Sequence, residues 1–182
     1  MLIVVDPQID FINGTLPVPG AAEAMDALAH YIKQNDGRWA RKVVTSDWHP
    51  LHHCSFATQG GQWPVHCVAH SAGAAIWMPL LEALYGTQGE TEFLIKGNNP
   101  QREEYSIMQN PASGMILASE LAPDADDPYT DVDVCGLAGN VCVLNTLRDL
   151  VKLFGTSRLH VLEQFSPSLD DGSALHEIIV TL

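Results

Sequence analysis

The sequence predicts an α/β fold in which helices cover both faces of a mostly parallel central sheet. Short apolar runs rich in β-branched residues alternate with segments whose apolar residues recur at helical spacing. Strands that alternate with helices form parallel βαβ units, and such units stack into three layers. No repeat, low-complexity segment or linker divides the 182 residues. We therefore expect a single three-layer α/β/α domain over residues 1–182.

Five apolar runs are the predicted strands of this sheet. They cover residues 2–5, 42–45, 91–95, 132–135 and 158–162. Helical periodicity predicts helices over residues 21–33, 74–84, 111–121 and 141–153. The segment 175–182 is compatible with either a helix or a last strand.

The charge balance excludes several classes of protein. Asp and Glu number 22 against 9 Lys and Arg, which gives a net charge of −13. This balance argues against binding to nucleic-acid phosphates and against docking on anionic lipid. No apolar stretch approaches the roughly 20 residues that a bilayer requires. The first residues lack a basic region and include Asp6, so a signal peptide is not predicted and a cytoplasmic location is expected.

Chemically distinctive residues follow four of the predicted strands. Asp6, Asp47 and Lys96 each come after a strand, and a glycine-containing turn over residues 136–140 follows the fourth. Ligands of open α/β sheets bind beyond the carboxyl ends of the strands. Although charged residues often simply end buried strands, four such elements at one edge indicate a functional site.

A candidate metal site lies in the long, weakly periodic segment of residues 47–73. It contains the pattern Asp47-x-His49-x-x-x-His53, followed by His66. Imidazoles with a carboxylate suit one divalent ion, zinc first, with iron, manganese or nickel as alternatives. His52 is adjacent to His53, and Cys54 and Cys67 are also near in the sequence, so these three residues are competing ligands.

A candidate nucleophile follows the turn over residues 136–140. Cys142 opens a predicted helix, where the helix N-terminus lowers a thiol pKa and offers N–H groups to an oxyanion. The alternative is a small core residue at the start of a buried helix. Asp6 could take the thiol proton and Lys96 could hold that carboxylate ionised, although each could instead belong to a structural ion pair.

The same residues resemble the nicotinamidases of the isochorismatase-like cysteine hydrolases. The resemblance covers residues 2 to about 150, in the family's order. Its segments are VVDPQIDF (residues 4–11), SDWHP (46–50), HCSFA (53–57), WPVHCV (63–68), FLIKG (93–97) and VCGLAGNVCV (134–143). The chain departs from the pattern at Cys54, at Val141 and in its short segment after Ser168.

The resemblance implies the isochorismatase-like fold, a reaction and a role for each matching residue. Nicotinamide is converted to nicotinate and ammonia, in NAD salvage, and pyrazinamide is also a substrate. Asp6 acts as the base, Lys96 as the cation and Cys142 as the nucleophile. The backbone N–H groups of Ala138 and Cys142 hold the oxyanion, and the Leu137–Ala138 bond is cis.

The resemblance also implies how the substrate is held. Asp47, His49, His53 and His66 bind a metal that takes the pyridine nitrogen. Phe11, Trp63 and Tyr105 are candidates for packing against the ring. The metal, the oligomeric state and the preference among amides stay open, and a homo-oligomer is compatible with the sequence.

Two other functions are compatible with the residues alone. One is a hydrolase in which metal-activated water attacks another small amide, which leaves Cys142 as a core residue. The other is a metal-binding α/β module without catalytic activity.

Overall fold

The central sheet is parallel throughout the part of the chain that the computed structural model describes, residues 1–122 and 131–182. Its strands are β1 (Leu2–Val5), β2 (Arg41–Asp47), β3 (Glu90–Lys96), β4 (Val132–Gly136) and β5 (Leu159–Val161). They lie in the order β3-β2-β1-β4-β5, and each neighbouring pair is parallel. The five strands and their order along the chain confirm the prediction.

Helices cover both faces of this sheet. They are α1 (Ile9–Ile12), α2 (Ala21–Gln34), α3 (Met78–Gly86), α4 (Pro111–Leu121), α5 (Leu144–Phe154) and α6 (Ser173–Ile179). Side chains alternate along β1, so Leu2 and Val4 pack with α2 and α3, whereas Ile3 and Val5 pack with α4, α5 and α6. The result is the three-layer α/β/α architecture that the sequence predicts. Of the helices described, none has the length and apolar character needed to cross a bilayer.

Two segments differ from the predicted elements. The predicted helix over residues 74–84 begins only at Met78. The preceding residues pair with the chain after β1, because Ile76 bridges Gln8 and the Trp77 N–H donates to the Pro7 carbonyl at 2.9 Å. The ambiguous C-terminal segment forms α6, whose Leu175 is buried in the core.

The order of the strands changes direction beside β1, and this switch point locates the candidate functional site. The chain moves outward from β1 to β2 and β3, and then returns to β4 on the other side. Such a reversal leaves a crevice at the carboxyl ends of the strands. Gly136 ends β4 with a φ of 124°, and a Cβ there would lie 2.1 Å from the Val5 carbonyl oxygen. The close approach of β1 and β4 at the crevice therefore requires glycine at this position.

Candidate active site and metal centre

Three predicted residues meet at the reversal point, with the Lys96 ammonium between the other two. Its Nζ lies 2.8 Å from Oδ2 of Asp6 and donates to Sγ of Cys142 at 3.6 Å. All three side chains are buried. The structure thus brings together a carboxylate that follows β1, a cation at the end of β3 and a thiol on the turn after β4, as the family resemblance implies.

The backbone and β2 fix the direction of the Asp6 side chain. Asp6 has a φ of 45°, in the left-handed region that residues with side chains seldom adopt. Its N–H donates to the Thr45 carbonyl at 3.1 Å, and the Thr45 hydroxyl donates to Oδ1 of Asp6 at 2.7 Å. Oδ1 is therefore held by β2, while Oδ2 faces Lys96. Thr45 was not among the predicted site residues, because a threonine within a strand carries no signal of this role.

Cys142 lies on an unusual turn between β4 and α5. Gly139–Val143 forms a π-helical turn that leads directly into α5, where the sequence predicts a regular helix. Single π turns of this kind are frequent at functional sites. The Leu137–Ala138 peptide bond is cis, as predicted, and Ala138 lines the same pocket as Cys142.

Burial and the three charges of the site set its protonation states. Burial raises the pKa of the Cys142 thiol well above its ordinary value, so the lowering predicted from the helix N-terminus is wrong for the resting site. Lys96 opposes this increase in pKa and Asp6 adds to it. Burial also raises the pKa of Asp6, against the effect of Lys96. Burial alone would lower the pKa of Lys96, yet Asp47 and Asp6 raise it well above its ordinary value. These shifts favour a neutral thiol and a charged ammonium, beside an Asp6 carboxyl group that holds a proton more readily than an exposed aspartate.

A second cluster, next to the first, has the geometry of a metal site. Candidate ligand atoms of Asp47, His49 and His66 all lie within 4.8 Å of one another, and the three residues are buried. Oδ2 of Asp47 is 3.4 Å from Nε2 of His49 and 3.8 Å from Nε2 of His66. Nε2 of His49 is buried, and none of the described residues, 1–122 and 131–182, hydrogen-bonds to it. A divalent ion that prefers nitrogen and oxygen ligands fits this set.

The other nitrogen of each imidazole orients its ring. Nδ1 of His49 donates to the Gly97 carbonyl at 3.0 Å, and Nδ1 of His66 donates to the Pro64 carbonyl at 2.7 Å. These bonds leave both Nε2 lone pairs free to face an ion, which is how metal-binding histidines are usually oriented. Gly97 has a φ of 66°, and a Cβ there would lie 2.4 Å from Cε1 of His49. Glycine at this position therefore makes room for the His49 ring.

The structure does not bring His53, the fourth predicted ligand, into this set. Nε2 of His53 donates to the Arg102 carbonyl at 3.0 Å, while Nδ1 accepts from the Ser55 N–H at 3.2 Å and lies 2.7 Å from the Ser55 hydroxyl. Both nitrogens are thus engaged. Its ring packs against the His49 ring, with centroids 4.1 Å apart.

Lys96 joins the two clusters, a link that the sequence does not reveal. Besides Asp6 and Cys142, its ammonium contacts Oδ1 of Asp47, whose Oδ2 faces the histidines. Burial alone would raise the pKa of Asp47, but Lys96 and the two imidazoles outweigh it and hold the pKa well below the usual range. One carboxylate therefore belongs to both the candidate metal centre and the candidate catalytic site.

A pocket opens in front of both clusters. Cys142, Ala138, Asp47 and His66 line it, and so do all three aromatic candidates, Phe11, Trp63 and Tyr105. The Tyr105 hydroxyl accepts a hydrogen bond from Nε1 of Trp63 at 3.2 Å. A flat ring bound in this pocket would have aromatic neighbours, the thiol and the metal ligands around it.

Comparison with known proteins gives the family of the chain. No protein-family model matches it. The nicotinamidase of Escherichia coli is 31% identical over 169 residues, which span 84% of this chain and 76% of that protein. The chain belongs to the nicotinamidase family. The Mycobacterium tuberculosis protein named nicotinamidase/pyrazinamidase is also 31% identical, over 83% of this chain and 78% of that protein.

A solved structure extends the similarity to the whole fold. A crystal structure of the pyrazinamidase of Pyrococcus horikoshii, in complex with zinc, matches with a TM-score of 0.80 and 28% identity. The match covers 99% of this chain and 93% of that one. The three-layer fold predicted from the sequence is therefore that of a known amidase structure.

The nicotinamidase pocket also contains residues that the sequence analysis missed. Glu103 and Val141 line it, and Val141 was noted only as a departure from the family pattern. Burial raises the pKa of Glu103, and the neighbouring Asp47 adds to this. Glu103 lies in an irregular segment after β3, where no periodicity predicts the direction of a side chain. Cys54, the other departure, is half-buried, and its N–H donates to the Pro100 carbonyl at 2.9 Å.

Proposed function

We propose that this chain hydrolyses nicotinamide to nicotinate and ammonia through a thioester on Cys142. The observation that carries the proposal is the position of Lys96, which contacts Asp6, Cys142 and the proposed metal ligand Asp47 in one buried site. Membership of the nicotinamidase family supports the substrate. Pyrazinamide, which also has a ring nitrogen meta to the carbon bearing the amide, is proposed as a second substrate.

Acylation begins with a proton transfer from Cys142 to Asp6. Burial makes the thiol a weak acid and Asp6 a stronger base than an exposed carboxylate, and Lys96 stabilises the thiolate as it forms. The sulfur attacks the amide carbon, and the carbonyl π electrons move to the oxygen. The N–H groups of Ala138 and Cys142 are the proposed donors to this oxyanion. Collapse re-forms the carbonyl and breaks the C–N bond, while Asp6 returns its proton so that ammonia leaves.

Deacylation uses the same carboxylate a second time. Asp6 accepts a proton from water, and the resulting hydroxide attacks the thioester carbon. The tetrahedral species collapses with cleavage of the C–S bond, and the proton on Asp6 passes to the departing sulfur. The product, nicotinic acid, loses its carboxyl proton to solvent water and leaves as nicotinate, and the site returns to its resting state.

Asp47, His49 and His66 are the proposed ligands of one divalent metal ion. When bound, this ion supplies an electrophilic partner for the pyridine nitrogen and so positions the ring. The buried Nε2 of His49, to which none of the described residues hydrogen-bonds, and the mixed nitrogen and oxygen set support zinc, as does the zinc complex of the P. horikoshii relative. Iron, manganese and nickel accept the same ligands. Phe11, Trp63 and Tyr105 are proposed to pack around the ring.

A crystal structure of a further relative supports the ligand class. The L. infantum protein PnC1, solved in complex with nicotinate, is 31% identical to this chain. It matches with a TM-score of 0.79 over 99% of this chain and 87% of that one. A role in NAD salvage follows from the proposed reaction. A cytoplasmic location and a homo-oligomer stay predictions from the sequence.

The decisive test is ammonia release from nicotinamide by protein reconstituted with zinc. We expect turnover by the wild type and by Cys54→Ala, a control whose cysteine does not line the pocket. Cys142→Ala should be inactive, because losing a covalent nucleophile raises the barrier by several kcal/mol. Activity of Cys142→Ala above about a hundredth of wild type would support attack by metal-activated water instead. A wild-type protein that releases no ammonia would refute the proposed substrate.

A further inference from the structure

His53 is buried beside the proposed metal ligands, yet its hydrogen bonds leave it no free lone pair. The Ser55 N–H can only donate, so Nδ1 of His53 is an acceptor at 3.2 Å, and the Ser55 hydroxyl donates to the same atom at 2.7 Å. The Arg102 carbonyl can only accept, so Nε2 carries the proton that it donates at 3.0 Å. The hydrogen bonds with Ser55 and Arg102 therefore fix one neutral tautomer of His53. Binding an ion through either nitrogen would cost one of these bonds.

The bond from His53 joins two segments that build the pocket from different sides. One segment surrounds His53 itself, after β2, and the other covers residues 99–105, after β3. The Cys54 N–H makes a second link to the other segment, through the Pro100 carbonyl at 2.9 Å. The two bonds come from adjacent residues and reach acceptors two positions apart.

The segment of residues 99–105 carries part of the pocket wall. Glu103 directly follows the Arg102 carbonyl, and Tyr105 lies two residues further on. The Tyr105 hydroxyl accepts from Nε1 of Trp63 at 3.2 Å and from Nε2 of Gln62 at 2.9 Å. An irregular segment of this kind depends on a few such bonds for its position.

We propose that His53 is a positioning residue, which fastens residues 99–105 against the substrate pocket, rather than a metal ligand. Its ring also packs on the ring of His49, with the planes 30° apart. The effect on substrate binding rests on the proposed function. The proposed tether, and the proposal that His53 does not bind the metal, do not depend on that function.

The test compares four variants by metal content, hydrogen exchange and kinetics. The variants are His53→Ala, His53→Gln, His49→Ala and His52→Ala, the last of which changes an exposed neighbour. Glutamine is chosen because its amide can donate to the Arg102 carbonyl as Nε2 of histidine does. Elemental analysis gives the zinc bound per chain, and exchange is followed in the peptide that covers residues 99–105.

We expect both His53 variants and His52→Ala to keep the zinc content of the wild type, whereas His49→Ala loses it. His53→Ala should accelerate exchange in residues 99–105 and raise KM for nicotinamide about tenfold, as expected for one buried hydrogen bond. The kcat should change less, and His53→Gln should restore most of the exchange protection and of KM.

Loss of zinc from both His53 variants, to the level of His49→Ala, would show that His53 is a ligand and overturn the proposal. Unchanged exchange in His53→Ala would overturn the tether. If His53→Ala does not fold, the zinc content and exchange of His53→Gln decide the same two questions. A wild type without amidase activity would refute the proposed function, while zinc content and exchange would still test His53.

Discussion

The side-chain amide of Gln8 hydrogen-bonds to both the N–H and the carbonyl of Asp47. Oε1 of Gln8 accepts from the Asp47 N–H at 2.8 Å, and Nε2 donates to the Asp47 carbonyl, also at 2.8 Å. Nε2 donates in addition to the Ala74 carbonyl at 3.0 Å. Gln8 thereby continues the pairing of β1 with β2 beyond the end of β1. These bonds fix the backbone of Asp47, whose carboxylate is shared by the two clusters.

Replacing Gln8 by methionine should therefore weaken metal binding. Methionine has a similar length but cannot make the three hydrogen bonds, and it leaves buried backbone groups of Asp47 and Ala74 without partners. We expect a loss of at least about 2 kcal/mol in the free energy of unfolding. Urea denaturation and zinc titration measure the two effects, and Gln59→Met, at an exposed position, is the control. Unchanged zinc affinity in Gln8→Met would contradict this role.

Replacing Asp6 by asparagine should remove activity while preserving the fold. Asparagine has nearly the same shape and can still accept from the Thr45 hydroxyl, but it cannot take the proton of Cys142. Circular dichroism should match that of the wild type, and intact mass spectrometry after mixing with nicotinamide should show no acylated protein. Normal acylation of Asp6→Asn would mean that another group is the base.

On the acid side of the pH profile, kcat/KM should begin to fall at a higher pH than the titration of an exposed aspartate would predict. Asp6 must be ionised to accept the thiol proton, and burial raises its pKa in the folded protein. As the pH falls, Asp6 therefore becomes protonated at a higher pH than an exposed aspartate, and kcat/KM falls with it. Zinc content measured at each pH separates this effect from loss of the metal. A kcat/KM that stays constant down to about pH 4, the ordinary aspartate range, would be inconsistent with this assignment.

Benzamide should be a poor substrate, because it has the shape of nicotinamide without the ring nitrogen. It loses the contact that orients the ring, and a misplacement of about 1 Å can cost on the order of a hundredfold in rate. We expect kcat/KM for benzamide to fall at least that far, while pyrazinamide remains a substrate. Comparable values for benzamide and nicotinamide would remove the positioning role assigned to the metal.

The sequence predicts the strands, because buried apolar runs are local signals, whereas the meeting of Asp6, Lys96 and Cys142 is implied only by the family resemblance. It does not predict where α3 begins. Apolar spacing over residues 74–77 looks helical, yet this segment pairs with the chain after β1, which is a tertiary contact. The same limit applies to the π turn at Cys142, whose geometry depends on its surroundings.

The metal cluster shows a similar division between local pattern and tertiary geometry. Asp47, His49 and His66 meet as the spacing suggests, but spacing alone does not distinguish a ligand from a neighbouring histidine with other partners. The partner of His53 is a carbonyl 49 residues away, on a segment without periodicity. Gln8 and Thr45 act through their hydrogen bonds to Asp47 and Asp6, so only the folded structure reveals them.

Covalent catalysis by Cys142 is tested most directly by trapping the intermediate. Wild-type protein with bound zinc is mixed with nicotinamide, quenched in acid during turnover and analysed by intact and peptide mass spectrometry. We predict a nicotinoyl group on the peptide that contains Cys142, formed and lost at rates that support the measured kcat. Steady ammonia release without this adduct, together with retained activity in Cys142→Ala, would contradict the account.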